Sequence, residues 1–110
     1  MEFEKLIVSV VNEMTYYLLK NGAHVVSTEI VTLERSFYIV LEARMNVKDE
    51  MLTELRKISK IKDHPELRYY SALATSVGNL QDIFIIAPNM KKFEVFEDDN
   101  GIKIEIFVER

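Results

Sequence analysis

The sequence predicts an α+β two-layer sandwich in the order helix–strand–strand–helix–helix–(short helix)–strand–strand, a largely antiparallel sheet covered by helices on one face. Three observations carry this expectation. The first twenty residues hold an apolar stripe at helical spacing that stops at Asn21-Gly22. Residues 37–45 and 102–108 alternate apolar and polar side chains, as half-buried strands do. Asn100-Gly101 stands between two alternating runs, the strongest short-range hairpin signal.

The first helix is expected over Phe3–Lys20. Phe3, Leu6, Ile7, Val10, Val11, Met14, Tyr17 and Leu18 recur at three and four residues and form one broad stripe. Asn and Gly tolerate the left-handed conformation that commonly ends a helix, so Asn21-Gly22 is its cap. VVSTEIVTLE, residues 25–34, is rich in β-branched residues and reads as a strand. In FYIVLEARM, Phe37, Ile39, Leu41, Ala43 and Met45 point one way, and Tyr38, Val40, Glu42 and Arg44 the other. The two strands should form an antiparallel hairpin.

Asn46-Val47-Lys48-Asp49 resembles a capping box with Asp in place of Glu. The helix it opens carries Met51, Leu52, Leu55 and Ile58 on one side. Asp63-His64-Pro65 breaks the chain, and Pro65 suits the first position of a further helix with Leu67, Tyr70, Ala74 and Val77 inward, ending at Gly78. Asn79 and Asp82 are candidate caps for a short helix, LQDIFIIA, closed by Pro88. The closing hairpin pairs KFEVFE with IKIEIFVE, with Ile102, Ile104, Ile106 and Val108 on its apolar face and positive φ expected at both Asn100 and Gly101.

Length and composition narrow the chemistry. Residues 1–110 suit one globular domain, with 48% apolar and 29% charged residues. A net charge of −4 gives no global field toward nucleic acid or anionic membrane. The absence of cysteine removes disulfides, thiolate nucleophiles and Cys-based metal sites. MEFEKLIVSVV has acidic residues ahead of its apolar run rather than a basic n-region, and no run reaches the ~18 apolar residues of a spanning helix. A cytoplasmic protein without a membrane segment is the expectation, and abundant Lys and Glu lean toward a thermophile.

His24 and His64 lack ligand spacing, and no G-x-S-x-G or S-x-x-K context surrounds a serine. Gly22, Gly78 and Gly101 are scattered, so neither G-x-G-x-x-G nor a P-loop is present. The basic run Arg56-Lys57-Ile58-Ser59-Lys60-Ile61-Lys62, with Arg68 and Tyr69-Tyr70 beyond, could contact nucleic acid, but its helical spacing reads more simply as a solvated face. Glu97, Asp98 and Asp99 lead into a turn without the register of a calcium loop. No cofactor, metal site or catalytic residue is therefore expected. The remaining candidates are on the first helix, where Glu13, Tyr17 and Asn21 stand at successive four-residue steps. A carboxylate at a stripe edge can face a cleft between helix and sheet, where burial raises its pKa. On spacing alone, Glu13 reads more simply as the partner of a surface cation, and Tyr17 as a packed ring with its hydroxyl in water.

In element order and in that first helix, the chain resembles a reduced histidine-kinase-like ATPase domain (the GHKL or Bergerat fold), similar in pattern to anti-sigma-factor kinases. Glu13-Met14-Thr15-Tyr16-Tyr17-Leu18-Leu19-Lys20-Asn21-Gly22 resembles the family's E-x-x-x-N helix, and FIIAPNMKKFEVFEDDNGIKIEIFVE resembles its terminal strand–turn–strand unit. The resemblance implies that Glu13 matches the glutamate that positions or activates water. Tyr17 falls where the family has its magnesium-binding Asn, and a phenol is a poor ligand for that hard cation. Glu42-Ala43-Arg44-Met45-Asn46 stands in place of the D-x-G-x-G that binds adenine. Ser76-Val77-Gly78-Asn79-Leu80 is the nearest remnant of G-L-G-L. The resemblance thus implies the fold without the ATPase: an inert domain acting through protein contacts in signalling or transcription, with a protein partner or a second copy of itself. Phe96 and Phe107, expected opposite the main core, favour a homodimer. The alternative is a small enzyme or ligand-binding domain with a pocket at Glu13, Tyr17 and Glu42.

Overall fold

The computed structural model describes residues 2–64 and 80–110. Helix α1 spans Phe3–Lys20, strands β1 and β2 span Val25–Thr32 and Ser36–Arg44, and helix α2 spans Asp49–Asp63. Helix α3 spans Gln81–Ile86, a 3₁₀ turn covers Ala87–Asn89, and strands β3 and β4 span Met90–Asp98 and Gly101–Glu109. The element order is the expected one. The helix expected after Pro65, and the caps or remnants placed on 76–79, lie outside the described residues.

The four strands form one antiparallel sheet in the order β1-β2-β4-β3. Register puts Phe37, Ile39, Leu41 and Ala43 opposite Val108, Ile106, Ile104 and Ile102. All are buried, and they share one core with Ile7, Val10, Met14 and Leu18 of α1, Met51, Leu55, Ile58 and Ile61 of α2, and Ile83, Phe84 and Ile86 of α3. The alternation seen in the sequence is thus the alternation of burial. The opposite face carries Tyr38, Val40, Phe96 and Phe107, with the Tyr38 and Phe107 rings 6.3 Å apart.

Helix α1 ends as its last residues dictate. Gly22 has φ +102°, and the N–H groups of Gly22 and Ala23 donate to the carbonyls of Leu19 and Leu18 at 3.1 and 3.0 Å. This Schellman pattern satisfies carbonyls the helix would leave open. The Asn21 amide adds a bond to the Tyr17 carbonyl at 2.8 Å, so Asn21 is occupied in closing the helix.

Three local expectations are corrected. Asn46 does not cap α2: the helix starts at Asp49 with Lys48 before it and no side-chain cap. Val47 packs against the core instead, and Asp49 and Glu50 complement the helix dipole from the first turn. Asp82 does not cap α3 either, since it lies inside the first turn. In the closing hairpin, Asp98 opposes Gly101, the loop is Asp99-Asn100, and no described non-glycine residue has positive φ. The Asp98 carboxylate accepts the N–H groups of Asn100 and Gly101 at 2.8 and 3.0 Å, and this side-chain turn replaces the expected backbone one. Gly101 is needed for space: a Cβ there would lie 1.9 Å from the Ala43 carbonyl oxygen.

Candidate functional site

The residues singled out on α1 have definite positions. Glu13 reaches across to α3, where its Oε1 accepts the Asp82 N–H at 2.8 Å and its Oε2 accepts the N–H groups of Asp82 and Ile83 at 3.0 Å. A short helix exposes unpaired N–H groups at its start, and here a carboxylate from another helix supplies the acceptor. The Ser9 hydroxyl, one turn before Glu13, donates to the Asp82 carboxylate. Ser9, Glu13 and Asp82 thereby lock α1 to α3.

Burial is the main influence on Glu13 and raises its carboxyl above the ordinary value. The Asp82 charge adds to the rise, while the N–H bonds from Asp82 and Ile83 oppose it. A raised carboxyl can mark a general acid. In this geometry, though, both oxygens are already engaged by backbone donors.

Tyr17 is buried in the core, and its hydroxyl has no hydrogen-bond partner among the described residues. Burial, and secondarily the nearby Glu54 charge, pushes its ionisation well up. A neutral, enclosed phenol offers neither a base nor a metal ligand. Glu42 alternates with the core residues Leu41 and Ala43, so it lies on the opposite face of the sheet. There it lines a shallow depression with Ser27, Arg44, Phe96 and Lys103. The structure does not bring Glu42 together with Glu13 and Tyr17. Among the described residues, no group of His, Asp and Glu is arranged to hold a metal ion.

Two other features emerge that the sequence did not single out. On the face away from the core, Lys92 Nζ lies 2.7 Å from Glu105 Oε1 and 5.6 Å from the Tyr38 ring centre, and Lys103 lies 3.3 Å from the same carboxylate. The Lys92 hydrogen bond, with Tyr38 and Lys103 beside it, lowers Glu105 to about 2. The alternating charges of β3 and β4 could have suggested such a cluster, but only the register pairs them. The second feature is β1, whose burial pattern is exposed at every residue except half-buried Val26. Within the basic run on α2, Ile58 and Ile61 are buried in the core and Lys62 pairs with Asp63.

These arrangements define an α+β protein in which Ser9 and Glu13 of α1 are engaged in holding α3. No family model, curated protein or solved structure matches the chain. No helix of the described residues is long and apolar enough to cross a membrane.

Proposed function

We propose that this protein is a non-catalytic domain of the histidine-kinase-like ATPase type, acting through protein–protein contacts in signalling or transcriptional control. The observation that carries the reading is the engagement of Glu13, the one residue matching the family's water-positioning glutamate. Both its oxygens cap α3. The element order, helix then hairpin then helices then terminal hairpin, agrees with the resemblance. Tyr17 at the magnesium position, and Glu42 to Asn46 in place of the adenine-binding motif, leave the nucleotide without its ligands. What the protein offers instead is sheet: an exposed β1 and an outer face bearing Val31, Tyr38, Phe96 and Phe107.

Thermal unfolding with ATP and Mg²⁺ tests the reading. At about 5 mM nucleotide, a site with Kd near 50 μM would add about 2.7 kcal/mol. The expected outcome is an unchanged Tm. A clear rise would overturn the non-catalytic assignment.

A further inference from the structure

The two edges of the sheet are treated differently. The β3 edge is interrupted by a bulge between Met90 and Lys92, carries Lys91 and Lys92, and its Phe93 carbonyl accepts the Ser59 hydroxyl of α2 at 3.3 Å. Bulges, lysines and a covering helix are the devices by which sheets block pairing with other chains. Among the described residues, the β1 edge has none of these. It is 8 residues, VVSTEIVT, with neither Pro nor Lys. Its one charge is Glu29.

We infer that β1 pairs antiparallel with β1 of a second copy about a two-fold axis through Thr28, joining the two sheets into one. This names the partner for the protein-contact reading above, and rests on that reading for its role in function. Three features of the strand fit a second copy. An isologous contact must be self-complementary, and the polarity of Val25-Val26-Ser27-Thr28-Glu29-Ile30-Val31 is a palindrome centred on Thr28. In that register Val25 meets Val31, Val26 meets Ile30, Ser27 meets Glu29 and Thr28 meets itself. The apolar side chains therefore pair with each other on both faces of the sheet. The two Glu29 carboxylates avoid facing one another, which a register shifted to a Glu29 centre would force.

The backbone permits the same register. Leu33 N–H donates inward to the Ser36 carbonyl at 2.8 Å. Antiparallel hydrogen bonding alternates along a strand, so odd-numbered residues of β1 bond to β2 and even-numbered ones face the open edge. Val26, Thr28 and Ile30 thus present N–H and C=O groups unpaired among the described residues, at the positions a Thr28-centred pairing uses, giving about six hydrogen bonds across the axis. An interface this small makes a weak dimer.

Sedimentation equilibrium from about 5 to 500 μM is the test, a span suited to a weak contact. A monomer–dimer equilibrium within this range is expected, and Thr28→Pro should abolish it. Proline there removes an outward N–H and none of the bonds to β2, a position where edge strands accept it. Its fold is checked by circular dichroism. Independently, the chain has no cysteine, so the Ser27→Cys/Glu29→Cys double variant should form a disulfide-linked dimer under mild oxidation, while Glu29→Cys alone should stay largely unlinked. A monomer throughout, a dimer indifferent to Thr28→Pro in folded protein, or linking by Glu29→Cys alone as efficient as by the pair would each overturn the inference. A monomer would leave the nucleotide assignment standing, and an ATP-induced Tm rise would leave the dimer standing.

Discussion

The two ends of the sheet, β3 and β1, are built from comparable strand-forming residues and are both edges, yet they differ in everything that follows from position. Phe93 of β3 and Ile30 of β1 lie on the same face, opposite Ile106 and Ile39. Phe93 is 5% exposed and Ile30 40%. The helix α2 packs over the β3 end and reaches its edge through Ser59, whereas β1 is exposed at every residue but half-buried Val26. Pairing with a neighbour makes a strand, but only a covering layer turns its apolar side chains into stability. A strand that gains the first without the second is left with surface to offer.

The sharpest way to break this comparison is to remove the two side chains. Phe93→Ala should cost about 3–5 kcal/mol in chemical denaturation, the range for a large core residue. If it costs no more than Ile30→Ala, the difference between the ends is only apparent.

A smaller effect is expected between the helices. Glu13→Ala leaves the Asp82 and Ile83 N–H groups of α3 without their acceptor and should cost about 1–2 kcal/mol, as lost caps do. Its pH dependence has a definite sign. Because the folded carboxyl is raised above 4.5, its favourable contribution is complete below 4.5 and declines as pH rises through the folded value. The Tm gap between wild type and Glu13→Ala should therefore narrow as pH increases above 4.5. Glu105 behaves oppositely: its value falls from 4.5 to about 2, so its contribution is present above 4.5 and lost as pH drops through 2. That loss is common to both proteins and cancels in the gap.

Tyr17→Phe deletes a buried hydroxyl that lacks a hydrogen bond among the described residues. It should be neutral or stabilising by up to about 1 kcal/mol, read as an unchanged or higher Tm. A marked loss of stability would show that the hydroxyl is satisfied in solution. The smallest effect belongs to β1. Ile30→Ala should change the stability of dilute monomer by about 0.5 kcal/mol or less, measured at low concentration so that association does not contribute.

Much of this was readable in advance where the signal is local. The stripe from Phe3 to Leu18 and the cap at Asn21-Gly22 depend on neighbours three and four residues away, and the structure keeps both. The alternation in β2 and β4 foretold which residues would be buried. The candidate site was less legible. Glu13 lies at the edge of the packed side of α1, but its partners are backbone N–H groups about seventy residues away in the chain rather than a surface cation, and the Tyr17 hydroxyl is buried rather than in water. Asp82 stands in the first turn of α3, where the sequence suggests a cap. A longer-range acceptor took that place and left Asp82 to bind Ser9. Glu42 lies within β2, where strand parity turns it to the face opposite the core and away from Glu13 and Tyr17.

The sequence by itself determined the elements, their order and the apolar face of each, because helical and strand periodicity are properties of a short stretch of chain. The tertiary structure alone decided which carboxylate caps α3, which edge of the sheet is guarded, and that VVSTEIVT remains exposed. Those outcomes depend on which surfaces meet when the layers close, and local periodicity does not specify that.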